Sequence, residues 1–146
     1  METELTKIAY TARTQPKARF TSLVHLINPR NLETCRELSN NKAPGIDGVT
    51  KEEYGQNLET NLNDLVRRMK QQTYKPQPVR RAYIAKQGTN KMRPLGIPAY
   101  EDKLVQLALS KILNSIYEED FLDCSFGYRP KRGIHDALKV LNQPTW

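Results

Sequence analysis

The chain has 146 residues, 38% of them hydrophobic and 27% charged, with 23 Lys and Arg against 16 Asp and Glu and a net charge of +7. That length and composition suit one folded domain with a buried core. They exclude a membrane span, since no apolar run approaches ~20 residues, and with the acidic start Met1-Glu2-Thr3-Glu4 no secretory signal is expected there. The two cysteines, Cys35 and Cys124, and the two histidines, His25 and His135, lie too far apart for a disulfide framework or a metal site. Reduced thiols in a cytoplasmic protein are expected.

The charge is unevenly spread. Residues 65–100 hold nine Lys or Arg and no Asp or Glu: Arg67, Arg68, Lys70, Lys75, Arg80, Arg81, Lys86, Lys91 and Arg93. The rest of the chain is nearly balanced. A local excess of that kind draws a polyanion and speeds its encounter. The dense basic run from Gln77 to Arg93 is broken by prolines and reads as strands rather than as a membrane-surface helix, so nucleic acid is favoured over membrane.

In chain order, Leu5, Ile8, Ala9 and Ala12 fall on one helical face over 3–13, and Pro16 interrupts it. A short helical segment follows around Phe20 to Ile27. Asn28-Pro29 is a helix start, with Asn as N-cap and Pro at the first helical position. Leu32, Cys35 and Leu38 share the face of that helix, which ends in Ser39-Asn40-Asn41. Ala43-Pro44-Gly45-Ile46-Asp47-Gly48 predicts an ordered loop. Thr50 to Glu53 matches a capping box, and Leu58, Leu62, Leu65, Val66 and Met69 mark one amphipathic helix from there to about Gln72.

Tyr74-Lys75-Pro76-Gln77-Pro78 is extended. Residues 79–86 and 91–97 flank Gln87-Gly88-Thr89-Asn90, a β-hairpin with a four-residue connection, and Pro94 puts an edge on its second strand. Residues 100–117 carry apolar side chains on more than one stripe, which predicts a largely buried helix at the centre of the core. Gly127-Tyr128-Arg129-Pro130 breaks the pattern, Lys131-Arg132 adds a second basic spot, and a short helix with Ile134, Leu138 and Leu141 covers 133–142. There is no internal repeat or low-complexity segment.

Three segments bear chemistry. Lys86 and Arg93 flank the hairpin turn, where a compact ammonium and a planar guanidinium could grip a triphosphate. The alternative is a solvated basic hairpin. The 43–48 loop could approach a nucleic-acid backbone closely, or be a plain turn. Arg129, Lys131 and Arg132 interleave with Phe126 and Tyr128, as cations and rings do in single-strand grooves. The alternative is a loop anchored by its aromatics. Nucleotidyl transfer needs carboxylates to hold metal ions. The candidates Asp47, Asp64, Asp102, Asp123 and Asp136 form no DxD or DD pair, and Glu118-Glu119-Asp120 reads as a solvated acid cluster. The residues alone describe a nucleic-acid or nucleotide-binding module without a visible catalytic centre.

These segments, in this order, resemble the reverse transcriptases of bacterial group II introns, the intron-encoded maturases, from about Phe20 to Leu141. The carriers are NKAPGIDGVT at 41–50, RRAYIAKQGTNKMRPLGIPAYEDKLVQLAL at 80–109 and SFGYRPKRGIHDAL at 125–138. The resemblance implies an α+β fold, the fingers subdomain of a right-hand polymerase, with a small mainly antiparallel sheet whose β-hairpin is packed by helices. It divides the chain into an N-terminal helical extension, 1–40, and partial fingers, 41–146. It gives Lys86 and Arg93 the phosphates of the incoming dNTP. It gives Lys42, Gly45, Asp47 and Gly48 a place in a lid over the template–primer duplex. Arg80, Arg81, Arg129, Lys131 and Arg132 become nucleic-acid-facing, and Lys17 and Arg19 fall in the extension that binds intron RNA.

The implied partners are RNA, as intron and template, a DNA primer and dNTP, with a homodimer as a further option and no membrane. The family's catalytic aspartates lie in later motifs that this sequence lacks. The resemblance therefore implies Mg²⁺ in the intact parent and none in this fragment, and no polymerisation by the fragment alone. A non-catalytic RNA-binding module in intron splicing is the other expectation.

Overall fold

The computed structural model describes residues 1–37 and 43–142. They form six α-helices and two strands: α1 (Glu2–Thr14), α2 (Pro29–Glu33), α3 (Lys51–Gln56), α4 (Leu58–Lys70), β1 (Arg80–Ala85), β2 (Met92–Ile97), α5 (Tyr100–Tyr117) and α6 (Ile134–Leu141). The class is α+β, as expected. The chain divides into two compact units. One holds Met1 and residues 21–111, the other residues 2–20 and 112–146. No helix among the described residues is long and apolar enough to cross a membrane.

Local signals act where the sequence places them. Asn28 caps α2, its Oδ1 accepting the Asn31 N–H at 2.9 Å with Pro29 at the first helical position. Thr50 and Glu53 form the reciprocal capping box of α3: the Glu53 N–H reaches Thr50 Oγ1 at 3.2 Å and the Thr50 N–H reaches Glu53 Oε2 at 2.8 Å.

Other segments differ from expectation. Only a 3₁₀ turn, Val24–Leu26, forms within the segment expected to be helical around 20–27. After Glu33 the α2 helix tightens into a 3₁₀ turn, Thr34–Glu37, and the end expected at Ser39-Asn40-Asn41 lies outside the described residues. The single helix expected from 51 to 72 is two helices, broken at Asn57 (φ −122°, ψ 40°). The break leaves α3 carbonyls without helical partners, and Asn61 Nδ2 donates to one of them, Tyr54 O, at 2.9 Å.

The core of the first unit gathers Leu32, Cys35, Tyr54, Leu62, Leu65, Val66, Tyr100, Leu104 and Ala108. Leu62, Leu65 and Val66 are the apolar stripe of α4, and Tyr100, Leu104 and Ala108 recur at four-residue spacing on α5. The second apolar stripe of α5 is not buried: Leu109, Leu113 and Tyr117 are exposed, so the helix is less buried than expected.

Strands β1 and β2 form a two-stranded antiparallel sheet. Ala82 and Ile97 are its only partly buried residues and all others are exposed, so helices do not cover the hairpin as expected. The ribbon projects two solvated faces from a helical base. Of the two cysteines, Cys35 is buried and Cys124 exposed.

Candidate nucleotide and nucleic-acid interface

The hairpin register decides which side chains act together. Ile84 pairs with Arg93, Ala82 with Leu95 and Arg80 with Ile97, and beyond the strand end the Lys86 N–H donates to Lys91 O at 3.0 Å. Opposed residues in an antiparallel pair share a face, and the face repeats every second residue. Lys86, Lys91 and Arg93 therefore stand on one face around the turn. Lys86 and Arg93 are diagonal neighbours, a spacing of about 7–8 Å between backbone positions that long side chains span easily. Gly88, at φ +74°, closes the connection. None of the three cations forms an ion pair among the described residues, and neither strand carries a carboxylate.

Lys91 was not singled out from the sequence. Its signal was the four-residue connection, which makes Lys86 and Lys91 the closing pair. Arg80 and Arg81, grouped by sequence, separate: Arg80 shares the face of Arg93, whereas Arg81, opposite Gly96, is on the reverse with Tyr83 and Met92.

The 43–48 loop is fastened to the root of this hairpin. Arg80 Nε donates to Pro44 O at 3.0 Å, and Lys103 Nζ donates to Ala43 O at 2.7 Å from the first turn of α5. Gly45 lies so close to the chain leaving β2 that a Cβ on it would fall 2.5 Å from Ala99 Cα and 2.9 Å from Pro98 O. The Asp47 carboxylate accepts the Val49 N–H at 3.3 Å, and Gly48 at φ +71° completes the turn. Lys42 lies outside the described residues.

A second fastening sits below. Asp102, 4% exposed, accepts hydrogen bonds from the Tyr74 hydroxyl and from the Gln77 N–H at 2.9 Å, which ties down the extended segment entering β1. Beside it Glu101 accepts two bonds from Arg68 at 2.8 Å and one from the Tyr54 hydroxyl at 3.1 Å. Burial, reinforced by these carboxylates, pushes both phenols well above the ordinary tyrosine range. Arg68 is held charged, chiefly by its bonds to Glu101.

Arg67 and Arg68 also share Asp64, whose carboxyl is drawn below its usual value by hydrogen bonds from Arg67 and then Arg68. Part of the acid-free run is thus neutralised in space. Lys70 and Arg67 still line an open cleft of about 420 Å³ on α4.

The carboxylates considered as metal ligands are engaged separately: Asp64 and Asp102 as above, Asp123 with Arg132, and Asp136 with the Gly133 N–H. Among the described residues no group of three or more His, Cys, Asp or Glu side chains could hold a metal ion.

The second unit carries the Phe126–Arg132 segment. Arg129 is turned inward, its side chain 5% exposed. Nε and Nη2 donate to Glu118 Oε1 at 3.1 and 2.7 Å, and Nη1 donates to the carbonyls of Leu122 and Ser125. Its guanidinium also lies over the Phe121 ring at 5.1 Å. Expected among nucleic-acid-facing residues, Arg129 instead spends its donors organising the loop. Glu118, read as part of a solvated acid cluster, is its counter-ion, and the hydrogen bond from Arg129 lowers its pKa. Arg132 pairs with Asp123 and lies over Phe126 at 5.7 Å, whereas Lys131 is exposed.

No family model matches the chain. Residue by residue it is 44% identical over 108 residues, 74% of its length, to the group II intron-encoded protein LtrA of Lactococcus lactis subsp. cremoris. It is 39% identical over 140 residues, 92% of its length, to protein YkfC of Escherichia coli K12. It is 38% identical over 80 residues to an uncharacterized 91 kDa protein in the cob intron of Schizosaccharomyces pombe. The chain spans 18% of the length of LtrA, 36% of YkfC and 10% of the cob-intron protein. The chain belongs to the group II intron-encoded proteins, the reverse transcriptase and maturase family whose motifs it carries, and corresponds to part of such a protein.

Proposed function

We propose that this chain is the fingers portion of an RNA-directed DNA polymerase, and that its hairpin holds the phosphates of the incoming dNTP. The observation that supports this reading is the single face carrying Lys86, Lys91 and Arg93 with no carboxylate on either strand. Arg93 offers a planar fork to one phosphate, and the two ammonium groups offer mobile point charges to the others. The RNA template with its DNA primer would run past Arg81 and the 43–48 loop, the loop acting as a lid whose root is fixed at Gly45.

In this reading Mg²⁺ is held outside these residues, since Asp64, Asp102, Asp123 and Asp136 are engaged separately by Arg67 and Arg68, by Tyr74 and Gln77, by Arg132 and by the Gly133 N–H. The metal-holding carboxylates of the intact polymerase would lie elsewhere in the longer protein, and this portion alone would not polymerise. Lys86→Ala or Arg93→Ala in the intact protein should raise the nucleotide KM or lower kcat while template binding is kept. Unchanged nucleotide use in both variants would remove the clamp.

A second reading draws on the apolar side chains left exposed, Leu109, Leu113 and Tyr117 on α5 and Ile134, Leu138 and Leu141 on α6. It makes the chain one that self-associates through exposed apolar side chains, a reading separate from that of a non-catalytic RNA-binding module in intron splicing. Sedimentation across a wide concentration range tests it, since a monomer at every concentration eliminates self-association.

A further inference from the structure

The loop between α5 and α6 builds a pedestal and leaves one ring standing on it. Phe121 and Phe126 each carry a guanidinium, from Arg129 and Arg132. The third ring, Tyr128, is fully solvent-exposed, at 109% of its reference area. Its backbone is in the left-handed region at φ +59°, a conformation unfavourable for a bulky L-residue. Gly127, next to it, could take that conformation without steric penalty but is not in it. Lys131, three residues on, has the same φ of +59° and is exposed.

What imposes this shape is the buried residue between them. Arg129 donates to the carbonyls of Leu122 and Ser125 and to Glu118, and Arg132 donates to Asp123 O at 2.6 Å. The loop is held from below while the ring above is free on all sides. Strain of this kind persists where the surroundings over-determine it, and it gathers at binding sites.

We propose that Tyr128 is a stacking platform for an unpaired nucleobase of RNA, with the Lys131 ammonium meeting an adjoining phosphate. A rigid exposed phenol accepts any base on its π-face, and the cation supplies backbone attraction. The proposal rests on the RNA-binding reading above.

The test uses the chain itself and a short single-stranded RNA containing 2-aminopurine, whose fluorescence is quenched by stacking. The wild type should bind and quench. Tyr128→Ala should lose the quench and weaken binding roughly 5- to 150-fold, the span of one base–aromatic stack. Tyr128→Phe and Tyr128→Trp should keep both. Tyr128→Gly separates the ring from the fold: it should melt at a higher temperature than the wild type, because the strain is relieved, yet bind as poorly as Tyr128→Ala.

Lys131→Ala should lower the slope of log affinity against log salt by about 0.7, the loss of one phosphate contact on a single strand. Wild-type affinity or quenching in Tyr128→Ala would overturn the platform and leave RNA binding by the chain intact. Absence of any RNA binding by the wild type at low salt would overturn both readings together.

Discussion

Gly45→Ala tests whether the 43–48 loop is locked to the hairpin root. The added Cβ would fall 2.5 Å from Ala99 Cα, 2.7 Å from Ala99 N and 2.9 Å from Pro98 O. Carbon atoms pack at about 3.5–4.0 Å, so loop or strand exit must give by about 1 Å. Neither side is a flexible chain end. Ala99 is fully buried, and the loop is tied by Arg80 at Pro44 O and Lys103 at Ala43 O. Overpacking of this type costs about 1–3 kcal/mol. In a domain of this size that lowers the melting temperature by roughly 2–4 °C per kcal/mol.

The assay is thermal melting followed by circular dichroism, paired with hydrogen exchange of the hairpin amides. Gly45→Ala should melt several degrees lower and speed exchange at the root of β1 and β2. Gly48→Ala is the control, since its Cβ meets nothing within 4 Å and only its φ of +71° is strained. Gly48→Asn should therefore recover most of the loss at that position, whereas no side chain should recover Gly45. A Gly45→Ala protein that melts with the wild type would refute the lock.

Further outcomes follow from the polar contacts. Asp102→Asn leaves one oxygen for two donors and turns an amide N–H₂ toward one of them. It should cost about 1–3 kcal/mol in urea denaturation, and an unchanged midpoint would show that Tyr74 and Gln77 are not held there. Thr50→Ala removes the α3 cap and should cost about 1 kcal/mol, less in Thr50→Ser, read from the same curves. Glu118 has a folded pKa below its ordinary value of 4.5, so its contribution is present above that value and lost as pH falls through the lower folded pKa. Acidification below pH 4.5 should loosen the Arg129 loop, seen as faster amide exchange at residues 122–129, and Glu118→Gln should abolish that dependence. Lys91→Ala should weaken triphosphate binding by the chain, measured by calorimetry, about as much as Lys86→Ala. Undiminished binding would take Lys91 out of the phosphate face.

The sequence made local chemistry legible and left long-range chemistry hidden. The Asn28 cap, the Thr50–Glu53 box and the four-residue hairpin connection depend on residues within a few positions of one another, and all three are found as expected. The break at Asn57 was missed because Leu58 continues the apolar spacing across it. Its signal was Asn61, an amide able to cap Tyr54 O. The periodicity of α5 counts apolar residues but not the neighbours available to cover them, so it could not tell the buried stripe at Tyr100, Leu104 and Ala108 from the exposed one at Leu109, Leu113 and Tyr117. Arg129 read as a solvent-facing cation because its counter-ion, Glu118, lies eleven residues away in a segment that looked solvated.

The same distinction refines the electrostatics. Counting along the chain, residues 65–100 contain only cations. In space, Arg68 meets Glu101 across 33 positions of sequence, and Arg67 and Arg68 share Asp64 just outside the run. Two of the nine charges are thereby removed from the field that a distant polyanion feels. Opposite charges a few ångströms apart look like a dipole beyond the Debye length of about 8 Å at physiological salt. The unpaired remainder is concentrated on the hairpin, where no carboxylate lies on either strand to cancel Lys86, Lys91 and Arg93. Three like charges on one solvated face repel one another, and nothing in the helical core compensates that repulsion. A bound polyphosphate would. Binding of a triphosphate should therefore slow amide exchange in the hairpin more than in α4, where Arg67 and Arg68 already have carboxylate partners. Equal protection of both elements would mean that the anion recognises net charge and not this face.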